Sequence, residues 1–222
     1  MMSFPRWTRS PASRLIRRLS LRTWLLPATG YFMQKQVAGL EHVESVERPV
    51  IFAANHQSHM DTPAIYGSLP AHIHNHIAPA MAKEFFDPSF RSQLSYYWAC
   101  QCFNAFPIPQ RESPRAAFRY MRDLVDEGYS ILIYPEGQRT NHLLPFRRGV
   151  GMIAIHLDLP VIPVRIEGLE RVLNREARWP TRGPVHVTFG APLRPDGDDS
   201  ATFTARIEAA VHALGGHLTA VR

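Results

Sequence analysis

His56 and Asp61 stand five residues apart in the stretch Asn55-His56-Gln57-Ser58-His59-Met60-Asp61, directly after the apolar run Val50-Ile51-Phe52-Ala53-Ala54. A histidine held by a carboxylate is a base able to take a proton from a hydroxyl near neutral pH. On one continuous helix, five residues turn through roughly 140°, which would point the two side chains apart. They can meet if His56 sits on the loop after a strand and Asp61 lies in the first turn of a helix. Ser58 and Asp61 have the S-x-x-D form of an N-terminal capping box, which supports a helix start there. The same pattern has a plainer reading, in which Asp61 only caps a helix and His56 is an ordinary loop residue. The pair therefore needs partners elsewhere in the chain.

Three further stretches offer them. Ile131-Leu132-Ile133-Tyr134 runs into Pro135-Glu136-Gly137-Gln138-Arg139-Thr140. Open α/β sheets place their sites at the C-terminal ends of strands, and Gly137 would let a ligand or another backbone approach closely. Phe106-Pro107-Ile108-Pro109-Gln110-Arg111 is a second extended segment ending in arginine, and Phe146-Arg147-Arg148-Gly149 opens a helix with two more cations. Guanidinium groups pair bidentately with phosphate. Each stretch alone is also what a solvated turn looks like; together they would suit one anionic substrate.

The elements that must position these groups alternate between β-rich runs and helical patterns, which predicts an α/β fold. Its central sheet is mixed and largely parallel, flanked by helices. Strands are predicted at 50–54, 73–80, 131–134, 161–167 and 185–189, several continuously apolar as strands covered on both faces are. Helices are predicted after Ser113-Pro114, closing at Gly128, and over about 149–157 and 200–214. The expected division is a basic amphipathic segment, residues 1–35, followed by one domain, residues 36–222.

Charge is distributed unevenly. The net charge is +6, with Arg6, Arg9, Arg14, Arg17, Arg18 and Arg22 near the start and no acid before Glu41. Such an arm would contact an anionic surface, either nucleic acid or a membrane. Over residues 12–26, Leu15, Ile16, Leu19 and Leu26 form an apolar side with Trp24, and Arg14, Arg18 and Arg22 form a basic ridge. That is the composition of a helix lying on a membrane interface. A nucleic-acid partner is not expected, because the arginines cluster rather than interleave with aromatics. No uninterrupted run of about 18 apolar residues is present to span a bilayer, and a secretory signal fits poorly. Cys100 and Cys102 give no disulfide framework and no zinc spacing and read as core thiols, pointing to a reducing compartment. His72, His74 and His76 alternate and would share a face on a strand, but no carboxylate completes a set, so no metal site is expected.

These stretches together resemble the four ordered motifs of the glycerolipid acyltransferase family, in its phosphatidate-forming bacterial type. NHQSHMD at 55–61 is similar to the H-x-x-x-x-D motif, FPIPQR at 106–111 to the second block, YPEGQRT at 134–140 to F-P-E-G-T-R-S, and LPVIPVRIEG at 159–168 to the V-P-V block. Ala82-Lys83-Glu84 also resembles a stretch of that family. The resemblance covers about residues 37–192. It implies O-acyl transfer from acyl-CoA or acyl carrier protein to a lysophospholipid, foremost 1-acyl-glycerol-3-phosphate, with no cofactor. Another lysophospholipid or an amino-acid lipid is the alternative acceptor. His56 would be the base and Asp61 its support. Lys83, Arg111 and Arg139 would bind the acceptor phosphate, and Glu136 and Gly137 would shape the acceptor site. Attachment would be peripheral or monotopic, at the cytoplasmic face of the inner membrane. Gln138 and Tyr134 depart from the commoner threonine and phenylalanine without removing an ionisable group.

Overall fold

The structure, a computed structural model, describes residues 4–82, 90–108, 115–140, 143–173, 177 and 179–216. Its strands are β1 (Met33–Ala38), β2 (Ile51–Ala54), β3 (Ile77–Ala82), β4 (Phe106–Ile108), β5 (Ser130–Ile133), β6 (Val161–Glu167) and β7 (Gly183–Phe189). Its helices are α1 (Pro11–Ser20), α2 (Leu26–Phe32), α3 (Leu40–Glu44), α4 (Asp61–Tyr66), α5 (Ala71–His74), α6 (Phe90–Phe103), α7 (Arg115–Asp126), α8 (Gly149–Leu157), α9 (Leu169–Val172) and α10 (Ser200–Ala213).

The strands form one sheet in the order β1-β7-β6-β2-β5-β3-β4, parallel throughout except between β6 and β7. This is the predicted mixed, largely parallel sheet. Because successive side chains of a strand point to opposite faces, the central strands feed two cores. Phe52, Ala54, Leu132, Ile162 and Val164 join one, while Ile51, Ala53, Ile131, Ile133 and Val161 join the other. All four β2 residues are buried, which explains why that strand reads as an unbroken apolar run. α7, α8 and α10 cover the second core with Met121, Leu124, Ile153, Phe203 and Ile207. Gly128, at a φ of 83°, lets the chain turn out of α7 into β5.

Several expectations are corrected. The strand predicted at 73–80 begins only at Ile77, because Ala71–His74 forms a helical turn behind Pro70. There Ile73 and His74 are both buried, and the His74 ring lies at hydrogen-bonding distance from Tyr66 O and Leu69 O. His72, His74 and His76 therefore share no strand face. β1 escaped the sequence reading because only Met33 of its six residues is buried, as befits a strand paired on one side alone. The expected division at residue 35 falls inside this strand. α6 also went unread: Tyr96, Cys100 and Phe103 face inward while Leu94, Tyr97 and Trp98 face outward, which leaves no apolar stripe. The Ser113-Pro114 start of α7 lies outside the described residues.

The N-terminal helix runs further than 12–26. Ser10 caps it by accepting from Ser13 N at 3.2 Å, and a π-helical turn, Leu21–Leu25, joins α1 to α2. Leu15, Ile16, Leu19 and Trp24 are exposed, whereas Ser13, Arg17, Leu21 and Leu25 face the protein. The π turn absorbs one extra residue, so Trp24 emerges on the same exposed side as Leu19, five positions earlier. Leu26, expected on the apolar outer side, is half-buried. Among the described residues, no helix is long and apolar enough to cross a membrane.

Candidate active site

The pairing Ala53↔Ile133 between β2 and β5 places residues equally far beyond the two strand ends side by side, and these are His56 and Glu136. His56 N–H donates to Glu136 Oε1 at 3.0 Å, and Thr140 N–H donates to His56 O at 3.1 Å. The loop before His56 is fixed by Asn55, whose buried carboxamide donates to Ile166 O at 2.9 Å and accepts from Ile166 N at 2.7 Å. The first motif is thereby stapled to the fourth, and the backbone of His56 to the third.

Asp61 opens α4, as the turn argument requires, and is wholly buried. Its Oδ2 accepts from His56 Nδ1 at 2.6 Å, from Gln57 N at 2.7 Å and from Ser58 N at 3.0 Å. Three donors on Oδ2 offset part of the cost of taking the carboxylate out of water, while the buried Oδ1 has no hydrogen-bond partner among the described residues. An acceptor at this place puts the imidazole proton on Nδ1 and leaves the Nε2 lone pair available, as a general base needs. The capping box forms only in part. Ser58 N–H does reach Asp61, but Ser58 Oγ accepts from Met60 N at 3.3 Å and donates to Leu173 O at 2.8 Å. With its hydroxyl held that way, Ser58 is not set up as a nucleophile.

The His56 ring borders a cavity of about 1100 Å³. One part of its wall carries His56, His59, Gly137, Arg139 and Arg147; much of the rest is apolar, with Trp98, Phe103, Ile108, Met121 and Ile133 among its residues. His59, exposed but set into this concave wall, has its imidazole held down to about 4, first by desolvation and then by Arg139 and His56. It is neutral at neutral pH. Tyr134 stacks on His56 with ring centroids 4.2 Å apart.

The structure brings His56, Gly137 and Arg139 to one cavity, with Asp61 directly behind the histidine. Glu136 is placed differently from the substrate contact expected of it. It is buried outside the cavity wall, and its two carboxylate oxygens accept from His56 N and from Leu144 N at 3.1 Å. Burial raises its pKa above the ordinary carboxylate value. Lys83 and Arg111 lie outside the described residues. Arg147, absent from the expected site, enters it because its N–H donates to Pro135 O at 3.0 Å and its guanidinium packs over Gly137. A Cβ at Gly137 would fall 2.7 Å from the guanidinium carbon, and the residue has a φ of 72°, so glycine is required there. The signal was present in the sequence as Phe146-Arg147-Arg148-Gly149, but nothing local says that it folds against the Tyr134-Pro135-Glu136-Gly137 turn. The thiols of Cys100 and Cys102 are buried and pushed up by desolvation, that of Cys100 to about 12, so neither is a nucleophile at neutral pH.

Residues 34–167 match the family model described as Acyltransferase. The chain is 23% identical over 209 residues to human 1-acyl-sn-glycerol-3-phosphate acyltransferase beta, covering 90% of this chain and 71% of that protein. It is 25% identical over 169 residues to the chloroplastic enzyme of that name, BAT2, from Brassica napus, covering 73% of this chain and 46% of that one. With the Arabidopsis thaliana chloroplastic enzyme LPAT1 the shares are 82% and 50%, so the chain spans about half the length of both plant relatives. The crystal structure of the 1-acyl-sn-glycerophosphate acyltransferase PlsC from Thermotoga maritima superposes with a TM-score of 0.71 at 22% identity, covering 96% of this chain and 85% of that one. The fold is shared with that protein.

Proposed function

The chain belongs to the acyltransferase family, and on that premise we propose that it moves a fatty acyl group from an acyl thioester to the hydroxyl of 1-acyl-glycerol-3-phosphate, giving phosphatidate. The observation that carries this reading is the His56–Asp61 pair, 2.6 Å apart, at the wall of a large and mostly apolar cavity that also presents arginines. The relatives named for the same acceptor support it.

In the proposed reaction, Nε2 of His56 takes the proton of the substrate hydroxyl as its oxygen attacks the thioester carbonyl. Asp61 holds the Nδ1 proton in place and stabilises the imidazolium that forms, as the aspartate of a serine triad does. The tetrahedral intermediate collapses by breaking the carbon–sulfur bond, and the imidazolium returns its proton to the departing thiolate. The attacking hydroxyl belongs to the substrate, so no acyl-enzyme forms. Arg139 and Arg147, together with Lys83 and Arg111, bind the acceptor phosphate. Gly137 shapes that site, while Glu136 serves it indirectly by bracing the backbone of His56. The apolar part of the cavity receives the acyl chain. The donor is acyl-CoA or acyl carrier protein, and no cofactor takes part. The exposed stripe Leu15, Ile16, Leu19 and Trp24, with the neighbouring arginines, rests on an anionic membrane at the cytoplasmic face of the inner membrane.

The test is release of free CoA from an acyl-CoA in the presence of lysophosphatidate. His56→Ala is expected to lower that rate by about 100-fold to 10,000-fold. A fully active variant would overturn the mechanism. A wild type that ignores lysophosphatidate but acylates another lysolipid would overturn the acceptor alone.

A further inference from the structure

We propose that Tyr134 is a positioning residue for the base: its ring, stacked on His56 and tied through its hydroxyl to Thr62, fixes the plane of the imidazole and steadies the charge it acquires. The inference rests on His56 acting as the base.

The two rings lie 4.2 Å apart, inclined by 20°. The Tyr134 hydroxyl shares a hydrogen bond of 2.8 Å with Thr62 Oγ1, and Thr62 is the residue after Asp61 in α4. The first turn of one short helix therefore holds the imidazole in two ways. Asp61 grips an edge at Nδ1, and Thr62 holds the ring that covers a face. An in-plane hydrogen bond at one nitrogen leaves the imidazole free to rock about that contact. A stacked ring removes this freedom and so fixes the direction in which Nε2 points. Displacements of about 1 Å in reacting groups can cost roughly 100-fold in rate.

The stack also acts on charge. The face of an aromatic ring is electron-rich and attracts a cation lying over it. The charged or titratable groups around His56 include Asp61, whose carboxylate it touches, Glu136 behind its backbone, and His59, Arg139 and Arg147 on the cavity wall. The Tyr134 ring offers the imidazole an electron-rich face without adding another ionised group. Burial, and next the charge of Asp61, push the phenol well above its ordinary pKa, so the hydroxyl stays neutral and keeps its bond to Thr62. A phenylalanine at 134 would supply the face but not the tie.

The test uses the full chain and two readouts: the pH profile of kcat and kcat/KM for CoA release, and NMR titration of the His56 imidazole, which needs no turnover. Tyr134→Leu is expected to lower kcat about 10- to 100-fold with little change in KM. Its acid limb and the NMR midpoint should move to lower pH by about half a unit or more, because the imidazolium has lost its π face. Tyr134→Met, which fills similar space without a ring, must behave alike and stands in if the leucine variant folds poorly. Tyr134→Phe should recover most of the rate and the original midpoint, remaining about 2- to 5-fold slow, and Thr62→Val should match it. A Tyr134→Leu or Tyr134→Met protein with an unmoved midpoint and kcat within twofold of wild type would overturn the proposal. A wild type without acyl transfer, but with the midpoint shift in these variants, would uphold the stacking effect and sink the proposed function instead.

Discussion

α1 and α7 are amphipathic helices of 10 and 12 residues that attach to the same protein in opposite senses. α7 turns Ala117, Tyr120, Met121 and Leu124 onto the sheet. α1 turns Ser13 and Arg17 inward and leaves Leu15, Ile16 and Leu19 more than half exposed, at 58%, 53% and 53%. The inward face of α1 is polar because of what it meets. Arg17 donates to Gln101 O at 3.0 Å and to Thr8 O at 2.7 Å, while Gln101 donates to Ser13 O at 3.0 Å. Gln101 lies in the last turn of α6, where carbonyls lack helical partners and the helix dipole is negative, so a guanidinium is well matched there. Burial lowers the pKa of Arg17 from its ordinary value, yet an arginine remains charged. The apolar stripe of α1 is left on the outer surface. Exposed Trp7 lies beside α6, its ring 6.3 Å from that of exposed Tyr97. A patch of this kind on an otherwise well-buried protein marks an interaction surface.

The contrast can be broken or sharpened by mutation. The largest effect belongs to the conventional helix: Leu124→Ala should cost about 2–5 kcal/mol in chemical denaturation, since it opens a cavity under α7. A loss below that range would mean that α7 is less firmly docked than its burial indicates. Next comes the inward face of α1. Arg17→Leu strands the Gln101 and Thr8 carbonyls and should cost about 1–3 kcal/mol, read from the same denaturation midpoint. No loss there would remove the explanation for the inverted helix. The smallest effect on stability should come from Leu15→Glu combined with Leu19→Glu, within about 0.5 kcal/mol per site because both side chains face solvent. The same pair should abolish sedimentation with anionic vesicles. A doubly substituted protein that still sediments would refute membrane contact through this stripe and leave the acyl-transfer chemistry untouched.

The pairing of His56 with Asp61 was the most legible part of the site. A strand, a loop and a capping residue are local events, and the five-residue spacing leaves few ways for His56 and Asp61 to meet. Glu136 was legible as a residue of consequence but not in its role, because its partners, His56 N and Leu144 N, come from outside its own turn. Arg147 and Tyr134 were visible only as residue types. What they do depends on α8 docking on the Tyr134 turn and on one ring covering another. β1 was illegible because a half-solvated edge strand needs no apolar signal. The strand expected at 73–80 failed because a short apolar run has no period that separates a helical turn from a strand.

The sequence by itself determined the types of β2, β5, β6, β7, α7, α8 and α10, the mixed, largely parallel α/β architecture, the order of the four motifs and the existence of an amphipathic N-terminal stripe. All of these depend on neighbours within a few residues, where periodicity, caps and turn residues act. Only the tertiary structure decided which side of α1 faces the protein, that Glu136 accepts from the backbones of His56 and Leu144 instead of lining the cavity, and that Tyr134 lies over the imidazole. Those outcomes are set by burial and hydrogen bonding between segments as many as 88 residues apart, as between Ser13 and Gln101, and no local pattern records which segments will meet.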